Sequence, residues 1–386
     1  NRGTGASDLS ASWVGVGVSP NTSGSGDNAV ILNATNAPKP ITRPDAPTIE
    51  TVHPEASEKS TLNSGEIKVT IKDKEITKTL LDEYEIPYET LSKKKQSRFL
   101  KILELPLIML RYARLMLAFK PDVVLCRLSI HSVWMGRLFG AYIIALADTE
   151  HTKKLDFLTS RFVHLKLTGT SYTRDLGANH YKFPSILELL YLHPKRFTFD
   201  VTKINTEYLN KKIAIIRFVS WGAHHDIGES GISDKHKLDL VQELNKKYTV
   251  LISAETELST ELEAYRIEIP VGSIHHYMKY SSLYIGEGAS MASEAVCLGT
   301  PAYYINTLQV GYIEEQARYG LVKSYRNSNL FMTEIREDLE NNLNWYDSEQ
   351  YKNYISRQID CTKLLTWTIQ NVPISEASMH KAINSI

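Results

Sequence analysis

The stretch LYIGEGASMASEAVCLGTPAYYIN, residues 283–306, decides the predicted fold. It begins with an apolar run and passes through a turn of small residues that contains Glu287. A short helical pattern with Glu294 follows, ends in Leu-Gly-Thr-Pro and leads into a second apolar run. Apolar runs this continuous are typical of strands buried on both faces of a parallel sheet, which need a crossover helix between them. The stretch therefore predicts a strand–helix–strand unit of an α/β domain.

Strand and helix patterns alternate along two parts of the chain, on either side of a connecting segment. The first part contains apolar strand patterns at 66–71, 121–127, 141–148 and 162–167. The second part begins with KKIAIIRFVSW at 211–221 and includes strand patterns at 248–255 and 265–271, besides those of the opening stretch. We therefore predict two Rossmann-like domains with a cleft between them, which is the usual place for a ligand.

The predicted domain organisation has five segments. Residues 1–65 are rich in Ser, Gly, Asn, Thr and Pro, and we predict a low-complexity, mostly disordered extension there. The others are an incomplete N-terminal Rossmann-like domain, an interdomain linker, a C-terminal nucleotide-binding Rossmann-like domain and a group of C-terminal helices, at 66–190, 191–210, 211–330 and 331–386.

Composition limits the function classes. Lys and Arg number 44, and so do Asp and Glu, so the net charge does not indicate a nucleic-acid binder. The three cysteines, Cys126, Cys297 and Cys361, lie in apolar or helical patterns without a C-x-x-C spacing. This distribution argues against a disulfide framework or a zinc site and favours a reducing, cytoplasmic location.

A transmembrane span is not predicted, because no apolar run reaches about 18 residues. The segment 102–119 comes nearest, but Glu104, Pro106, Arg111 and Arg114 interrupt it. We interpret it as an amphipathic helix, and peripheral membrane contact through its arginine-bearing face is a hypothesis.

The turn after residue 286 predicts a cradle for a nucleotide. Ligands of open parallel sheets lie beyond the carboxyl ends of the strands, where helix N-termini favour anions. Gly288 permits close approach, Ser290 and the following amides are predicted to hold a diphosphate, and Glu294 is predicted to take the hydroxyls of a ribose. The structural alternative stays open: Ser290 caps the helix, and Glu294 lies on a solvated face.

Two histidine-containing stretches are further candidates. VSWGAHHDIG follows the first strand of the second domain, and its Ser220, Gly222 and His224 are predicted to line the phosphate side of the cleft. The alternative is a loop that packs its tryptophan in the core and exposes its histidines as ordinary polar residues. His275 and His276 lie near the start of a short helix; one of them, with His275 as the candidate, is predicted to contact a base or a phosphate, and the other to lie on the surface.

ADTEH, residues 147–151, ends a strand at the predicted cleft. Asp148, Glu150 and His151 are the candidate acid–base group, because neighbouring carboxylates and a histidine can have separated pKa values. Three ligands within four loop residues rarely converge on a metal, so no metal site is predicted. The alternative is that Asp148 caps the next helix.

The connecting segment contains Glu188, Tyr191 and His193 in the stretch ELLYLHP. Substrate contact and a purely structural role at the hinge remain equal alternatives for these residues.

Four stretches, ADTEH, ELLYLHP, RFVSWGAHHD and LYIGEGASMASEAVCLGTPA, together resemble the uncharacterised family known as domain of unknown function 354. That family is similar to UDP-N-acetylglucosamine 2-epimerases and to glycosyltransferases with two Rossmann-like domains, the GT-B fold. The likeness spans about residues 66–330. It implies that Gly288, Ser290 and Glu294 lie against the UDP moiety, whereas Glu287 stands where the epimerases carry Asp or Ser.

The chain departs from this resemblance at its start. The related enzymes begin with a central strand and a loop, whereas this chain enters at what resembles their second strand, 66–71. Either NAVILNAT, residues 28–35, substitutes poorly for the central strand, or the domain is truncated and impaired. Each buried backbone group left unpaired in such a gap costs ~1–3 kcal/mol.

The resemblance and the motifs together predict a nucleotide-sugar-dependent glycosyltransferase of the GT-B superfamily, acting in surface-glycan or glycolipid synthesis. Its donor would be a UDP-sugar, its acceptor a glycan or a lipid-linked molecule, and it would need neither a cofactor nor a metal. One alternative is a UDP-N-acetylhexosamine 2-epimerase that uses Asp148 and Glu150 as its acid–base pair. The other is a non-catalytic nucleotide-sugar-binding protein, and a homodimer is a further hypothesis.

Overall fold

The computed structural model describes residues 29–33, 66–72, 75–92, 98–148, 150, 153–219 and 231–386. These residues form two α/β domains, each built on one sheet with helices packed against it. Of the predicted extension 1–65, only residues 29–33 are described.

The described part of the N-terminal domain contains a seven-stranded sheet in the order β3-β2-β1-β4-β5-β6-β7. Its strands are β1 Ala29–Asn33, β2 Glu66–Lys72, β3 Tyr88–Ser92, β4 Val123–Arg127, β5 Tyr142–Ala147, β6 Leu165–Gly169 and β7 His180–Phe183. Alternate residues of β4 enter cores on opposite faces of the sheet, with Val123 and Leu125 on one side and Val124 and Cys126 on the other. This double burial explains why the strand is a continuous apolar run.

Strand β1 occupies the central position that the sequence predicted to be missing or replaced. It lies between β2 and β4 and pairs with both of them antiparallel, whereas the other pairs in this sheet are parallel. Ala29 is opposite Thr70 on one side and Cys126 on the other. The slot is therefore filled by a strand of reversed direction, which pairs backbone groups of β2 and β4 that an empty slot would leave unpaired.

The C-terminal sheet contains five parallel strands within the described residues, in the order β12-β11-β10-β8-β9. They are β8 Ile213–Phe218, β9 Thr249–Ala254, β10 Leu283–Gly286, β11 Ala302–Ile305 and β12 Val322–Tyr325. The prediction of a strand at 265–271 is wrong, because only an isolated bridge joins Arg266 to Ile252. Pro270 has no N–H to donate, and a 3₁₀ helix at Val271–Ser273 follows it, so the pairing does not extend.

Helices cover both sheets. Those before the second domain are α1 Glu75–Glu83, α2 Arg98–Phe119, α3 Ile130–Leu138, α4 Lys153–Thr159 and the interdomain α5 Leu189–Leu192. Those that follow are α6 Asp234–Leu244, α7 Thr260–Glu263, α8 Ile274–Tyr280, α9 Ala289–Cys297, α10 Gly311–Arg318, α11 Ser328–Glu340, α12 Ser348–Ser356, α13 Cys361–Gln370 and α14 Glu376–Ser385. Further 3₁₀ helices occupy Ser160–Phe162, Val201–Lys203 and Thr206–Tyr208.

The C-terminal helices return to the first domain and fasten the two domains together. The Thr362 hydroxyl at the start of α13 donates to the Leu190 carbonyl of α5, and Arg196 pairs with Asp360 at 2.8 Å. One continuous apolar core therefore includes residues of both domains and of α13 and α14. Among the helices that the structure describes, none is long and apolar enough to cross a membrane.

Candidate functional site between the domains

Helix α9 begins directly beyond the carboxyl end of β10, as the opening stretch predicted. Gly288 is its N-cap, and no side chain caps it. The Ser290 hydroxyl is hydrogen-bonded to Tyr312 of α10 rather than to the end of its own helix. Gly286 has no room for a side chain, because a Cβ atom there would collide with the Tyr284 hydroxyl. The first turn of α9 is thus a helix N-terminus without a side-chain cap, which is favourable for an anion.

Glu294 lies one turn further along α9 and is fully buried, not on a solvated face. Its Oε1 atom accepts a hydrogen bond of 2.5 Å from the Tyr191 hydroxyl, and its Oε2 atom lies 3.5 Å from Nε2 of His275 in α8. Neither Glu294 Oε2 nor His275 Nε2 has a hydrogen-bond partner among the described residues. Buried polar atoms are normally paired, so these two atoms, which face each other 3.5 Å apart without a hydrogen bond, are candidates for contact with a ligand.

Two residues of the connecting segment complete this buried cluster. Burial raises the pKa of Glu188 to about 8, and the nearby Glu294 carboxylate adds to the effect, so Glu188 keeps its proton at neutral pH. Burial and the same carboxylate also raise the pKa of Tyr191, which keeps its hydroxyl a donor to Glu294. In the part of the chain that the structure describes, Glu188 Oε2 has no hydrogen-bond partner. The segment therefore contributes two side chains to this buried cluster, and a role in substrate contact stays a prediction.

Arg127 and Tyr312 belong to this cluster, and the sequence indicated neither of them. Arg127 is the basic one. It ends β4 and forms an ion pair with Asp148, which follows the adjacent strand β5. Electrostatic interactions also connect the Arg127 guanidinium with Glu188 and Tyr312. The ion pair favours the ionised form of Asp148 at the carboxyl edge of the N-terminal sheet. Arg127 could have been recognised in the sequence as a basic residue at the end of a buried apolar strand. No local pattern indicated Tyr312.

Glu150 lies where the two domains touch. Its Oε1 atom accepts a hydrogen bond of 3.2 Å from the Thr173 amide, and its Oε2 atom is buried without a partner among the residues described. Gly311, at the start of α10, packs so closely that a Cβ atom there would collide with the Ser171 carbonyl and come within 2.8 Å of Glu150 Oε1. Glu150 thus faces the contact between α10 and the first domain.

Glu287 has a structural task. Its Oε2 atom accepts a hydrogen bond of 2.9 Å from the Val219 amide, and its Oε1 atom accepts one of 2.8 Å from the Ile232 amide. Burial raises the pKa of this carboxyl group to about 6. The two carboxylates of the opening stretch therefore differ. Glu287 accepts hydrogen bonds from the chain on both sides of residues 220–230, whereas Glu294 has one oxygen without a hydrogen-bond partner among the described residues.

Four predicted site residues, His151, Ser220, Gly222 and His224, lie outside the described residues, and their roles stay predictions. Across the described ranges, no group of three or more His, Cys, Asp or Glu side chains is placed to hold a metal ion.

Several solved structures share this architecture. A putative UDP-N-acetylglucosamine 2-epimerase from Listeria monocytogenes aligns with a TM-score of 0.52 and 12% identity, over 78% of this chain and 86% of its own. The UDP-GlcNAc 2-epimerase from Neisseria meningitidis, bound to UDP-GlcNAc, aligns with a TM-score of 0.53 and 14% identity, over 78% and 90%. A spinosyn forosaminyltransferase aligns with a TM-score of 0.51 and 10% identity, also over 78% and 90%.

The chain has a GT-B-type fold. This confirms the predicted class of two Rossmann-like domains, and identities this low show the fold alone. No protein-family model matches the chain, and no curated protein matches its sequence. The resemblance to domain of unknown function 354 therefore stays a hypothesis.

Proposed function

We propose that this chain is a glycosyltransferase that binds a UDP-sugar between its two domains and transfers the sugar to a glycan or a lipid-linked acceptor. The observation that carries the proposal is the pair of unpartnered atoms, Glu294 Oε2 and His275 Nε2, buried beside the uncapped start of α9. A ribose hydroxyl placed there donates to the carboxylate and accepts from the imidazole N–H. The diphosphate then lies at the amides of the first turn of α9 and at Ser290.

Tyr191 gives this arrangement its geometry. Its hydroxyl donates to Glu294 Oε1, so the proposed nucleotide would be held through the other carboxylate oxygen, Oε2, and the His275 nitrogen, which have no hydrogen-bond partner among the described residues. Since Tyr191 belongs to the interdomain segment, nucleotide binding and the relative position of the two domains are coupled in this proposal.

The proposed transfer forms a bond between the acceptor oxygen and the anomeric carbon while the bond from that carbon to the diphosphate oxygen breaks. The acceptor's proton goes to a base on the N-terminal side, for which Asp148, Glu150 and His151 are the proposed group. Of the described members, Asp148 lies at the carboxyl edge of the N-terminal sheet, where an ion pair with Arg127 fixes its position. The α9 amides offset the charge of the departing diphosphate, and the proposed reaction uses neither a metal nor a cofactor.

The second candidate is a UDP-N-acetylhexosamine 2-epimerase, which works by elimination and re-addition. A base removes the C2 proton while the anomeric carbon–oxygen bond to UDP breaks, and UDP then adds back to the anomeric carbon as a proton returns to C2 on the other face. A specific observation favours it: Glu188, with its pKa of about 8, and ionised Asp148 both interact with Arg127. A protonated and an ionised carboxyl group beside one guanidinium provide an acid and a base. The non-catalytic binding protein stays an alternative, but β1 of the stretch 28–35 occupies the slot that was predicted to be missing or replaced, so one ground for it, a truncated sheet, does not apply.

The test begins with nucleotide binding and continues with turnover. UDP and UDP-sugars should raise the melting temperature of the protein, whereas equal concentrations of adenosine or guanosine diphosphate should do so less. UDP-N-acetylglucosamine incubated in heavy water without an acceptor distinguishes the two reactions, because only the epimerase incorporates deuterium at C2. Transfer of labelled sugar to a glycan or lipid-linked acceptor supports the transferase. If no nucleotide stabilises the protein, both candidates are wrong.

A further inference from the structure

Helices α2, α3 and α4 form one layer over one face of the N-terminal sheet. Tyr112 of α2 and Val133 of α3 pack in the same core as the strand residues Val124, Cys126 and Ile143. Helix α3 packs against both of its neighbours, and the Trp134 indole donates to the Leu158 carbonyl of α4 at 3.2 Å. The outward sides of the three helices therefore make one continuous surface, which we call the α2–α4 face.

Exposed apolar side chains are concentrated on the α2–α4 face. Eleven large apolar side chains are exposed in the part of the chain that the structure describes, and seven of them lie on this face. They are Leu107, Leu110, Leu117, Trp134, Leu138, Phe157 and Leu158. Phe157 and Leu138 are 77% and 70% exposed, so their side chains project from the surface rather than fill gaps in it. An apolar surface of this extent indicates a binding partner.

The exposed charges of the same surface all have one sign. Among the described side chains of α2, α3, α4 and the 3₁₀ turn after α4, the exposed ionised groups are Arg111, Arg114, Arg137 and Arg161. The two acidic side chains in these elements, Glu104 and Asp156, are buried, and Asp156 pairs with Arg174. The chain as a whole has no net charge, so this positive surface is a local feature.

A single stripe of α2 carries three leucines and one arginine. Leu107, Leu110, Arg114 and Leu117 are spaced at i, i+3, i+7 and i+10, and all four are exposed on the side opposite buried Tyr112. Apolar side chains with arginines between them fit the interface of a lipid bilayer, where the apolar groups enter the acyl boundary and the guanidinium groups contact phosphates.

We propose that the α2–α4 face binds the surface of an anionic lipid bilayer. Charge complementarity selects this partner over a second copy of the chain. In a two-fold dimer the α2–α4 face would meet itself, which would set its three arginines, Arg111, Arg114 and Arg137, against the same three without an exposed acid among the described side chains of the three helices. Negatively charged headgroups neutralise the arginines, and the membrane boundary covers the apolar side chains.

The α2–α4 face lies next to the cleft, where a membrane-bound, lipid-linked acceptor would enter. Helix α3 follows β4, which ends at Arg127, and α4 follows β5, which is followed by Asp148, so both helices begin at the edge of the sheet that faces the cleft. This reading of the acceptor rests on the proposed function, whereas membrane binding itself does not.

The experiment is co-sedimentation of the purified protein with vesicles. Vesicles of phosphatidylglycerol and phosphatidylcholine should sediment the protein, vesicles of phosphatidylcholine alone should bind it much more weakly, and added salt should release it. The double variant Leu110→Gln, Leu117→Gln should weaken binding by more than about tenfold. Arg114→Gln should weaken it about fivefold. Leu330→Gln, which changes an exposed leucine of the C-terminal domain, is the matched control and should bind like the wild type.

The proposal is overturned if the wild type fails to sediment with anionic vesicles, or if the double variant sediments as well as Leu330→Gln. It is also overturned if sedimentation velocity shows a dimer that the double variant dissociates, because a second copy then covers the face. Circular dichroism confirms that each variant is folded, and Arg114→Glu provides a second charge variant that should bind still more weakly. Thermal shifts with UDP on the same samples report the nucleotide site separately, so either result can fail without the other.

Discussion

Glu287 and Glu294 are two buried carboxylates of one strand–helix junction, and we expect their replacement by glutamine to have different consequences. Glutamine at 287 keeps one acceptor oxygen but turns an amide NH₂ group toward either the Val219 or the Ile232 N–H. Two charge-assisted hydrogen bonds become one neutral bond and one contact between donors. At ~1.5–3 kcal/mol for a hydrogen bond to a charged group, Glu287→Gln should lower the free energy of unfolding by about 2–4 kcal/mol.

Glu294→Gln fits its surroundings. The amide oxygen can accept from the Tyr191 hydroxyl, and the NH₂ group faces the unpartnered Nε2 of His275, which accepts in one neutral tautomer. The stability change should stay within about 1 kcal/mol, because a buried charge with one unpaired oxygen is removed. UDP affinity should fall roughly 10- to 100-fold, because the ribose loses a hydrogen bond to a charged acceptor worth ~1.5–3 kcal/mol.

Urea unfolding followed by circular dichroism measures the stability of both variants, and isothermal titration calorimetry measures UDP binding to Glu294→Gln. The reasoning is refuted if Glu294→Gln destabilises the protein as much as Glu287→Gln does, because Glu294 is then part of the scaffold. It is refuted equally if Glu294→Gln binds UDP as tightly as the wild type.

Two further predictions concern the domain boundary. Burial raises the pKa of Glu188 from 4.5 to about 8, so between these pH values the folded chain keeps a proton that the unfolded chain releases. The free energy of unfolding should therefore fall as the pH rises from about 4.5 to 8, by up to ~1.4 kcal/mol per pH unit. Above pH 8 this contribution should level off. Urea unfolding of Glu188→Gln should show a flatter pH profile, and parallel profiles would contradict the assignment. Gly311→Ala should lower the free energy of unfolding by about 1–3 kcal/mol, because the new Cβ atom collides with the Ser171 carbonyl. Gly288→Ala is the matched control: its Cβ atom would lie 3.5 Å from the nearest atom, and the free energy of unfolding should fall by less than about 1 kcal/mol. Equal costs for the two glycine variants would show that the domains do not meet closely at Gly311.

Local periodicity predicted most of the elements that matter for the site. Strand β10 and helix α9 appear where the apolar run and the helical pattern of the opening stretch placed them. Strands β7 and β12 were missed, because HYKF and VKSY carry too few apolar residues, and their pairing depends on the neighbouring strand. The pattern at 265–271 predicted a strand, but only one bridge joins this segment to the edge strand β9.

The candidate site was predictable only where one element carries the signal. Glu294 was recognisable because its distance from the glycine turn is a local feature of α9. Tyr191 and His275 meet it from other elements, and Tyr191 is 103 positions away from Glu294 in the sequence. No spacing in the sequence connects them, nor does any connect Arg127 with Glu188.

The sequence by itself determined the alternation of buried strands and helices, and with it the class of two Rossmann-like domains, because burial on both faces requires continuous apolar runs wherever they occur. The tertiary structure alone decided that β1 enters its slot in the reversed direction, since a strand can pair either way and its neighbours select the direction. Only the tertiary structure distinguishes the roles of the two carboxylates, Glu287 and Glu294. The amides that engage Glu287 lie 55 and 68 residues away in the chain, and only folding brings them to that side chain while one oxygen of Glu294 stays unpaired within the described structure.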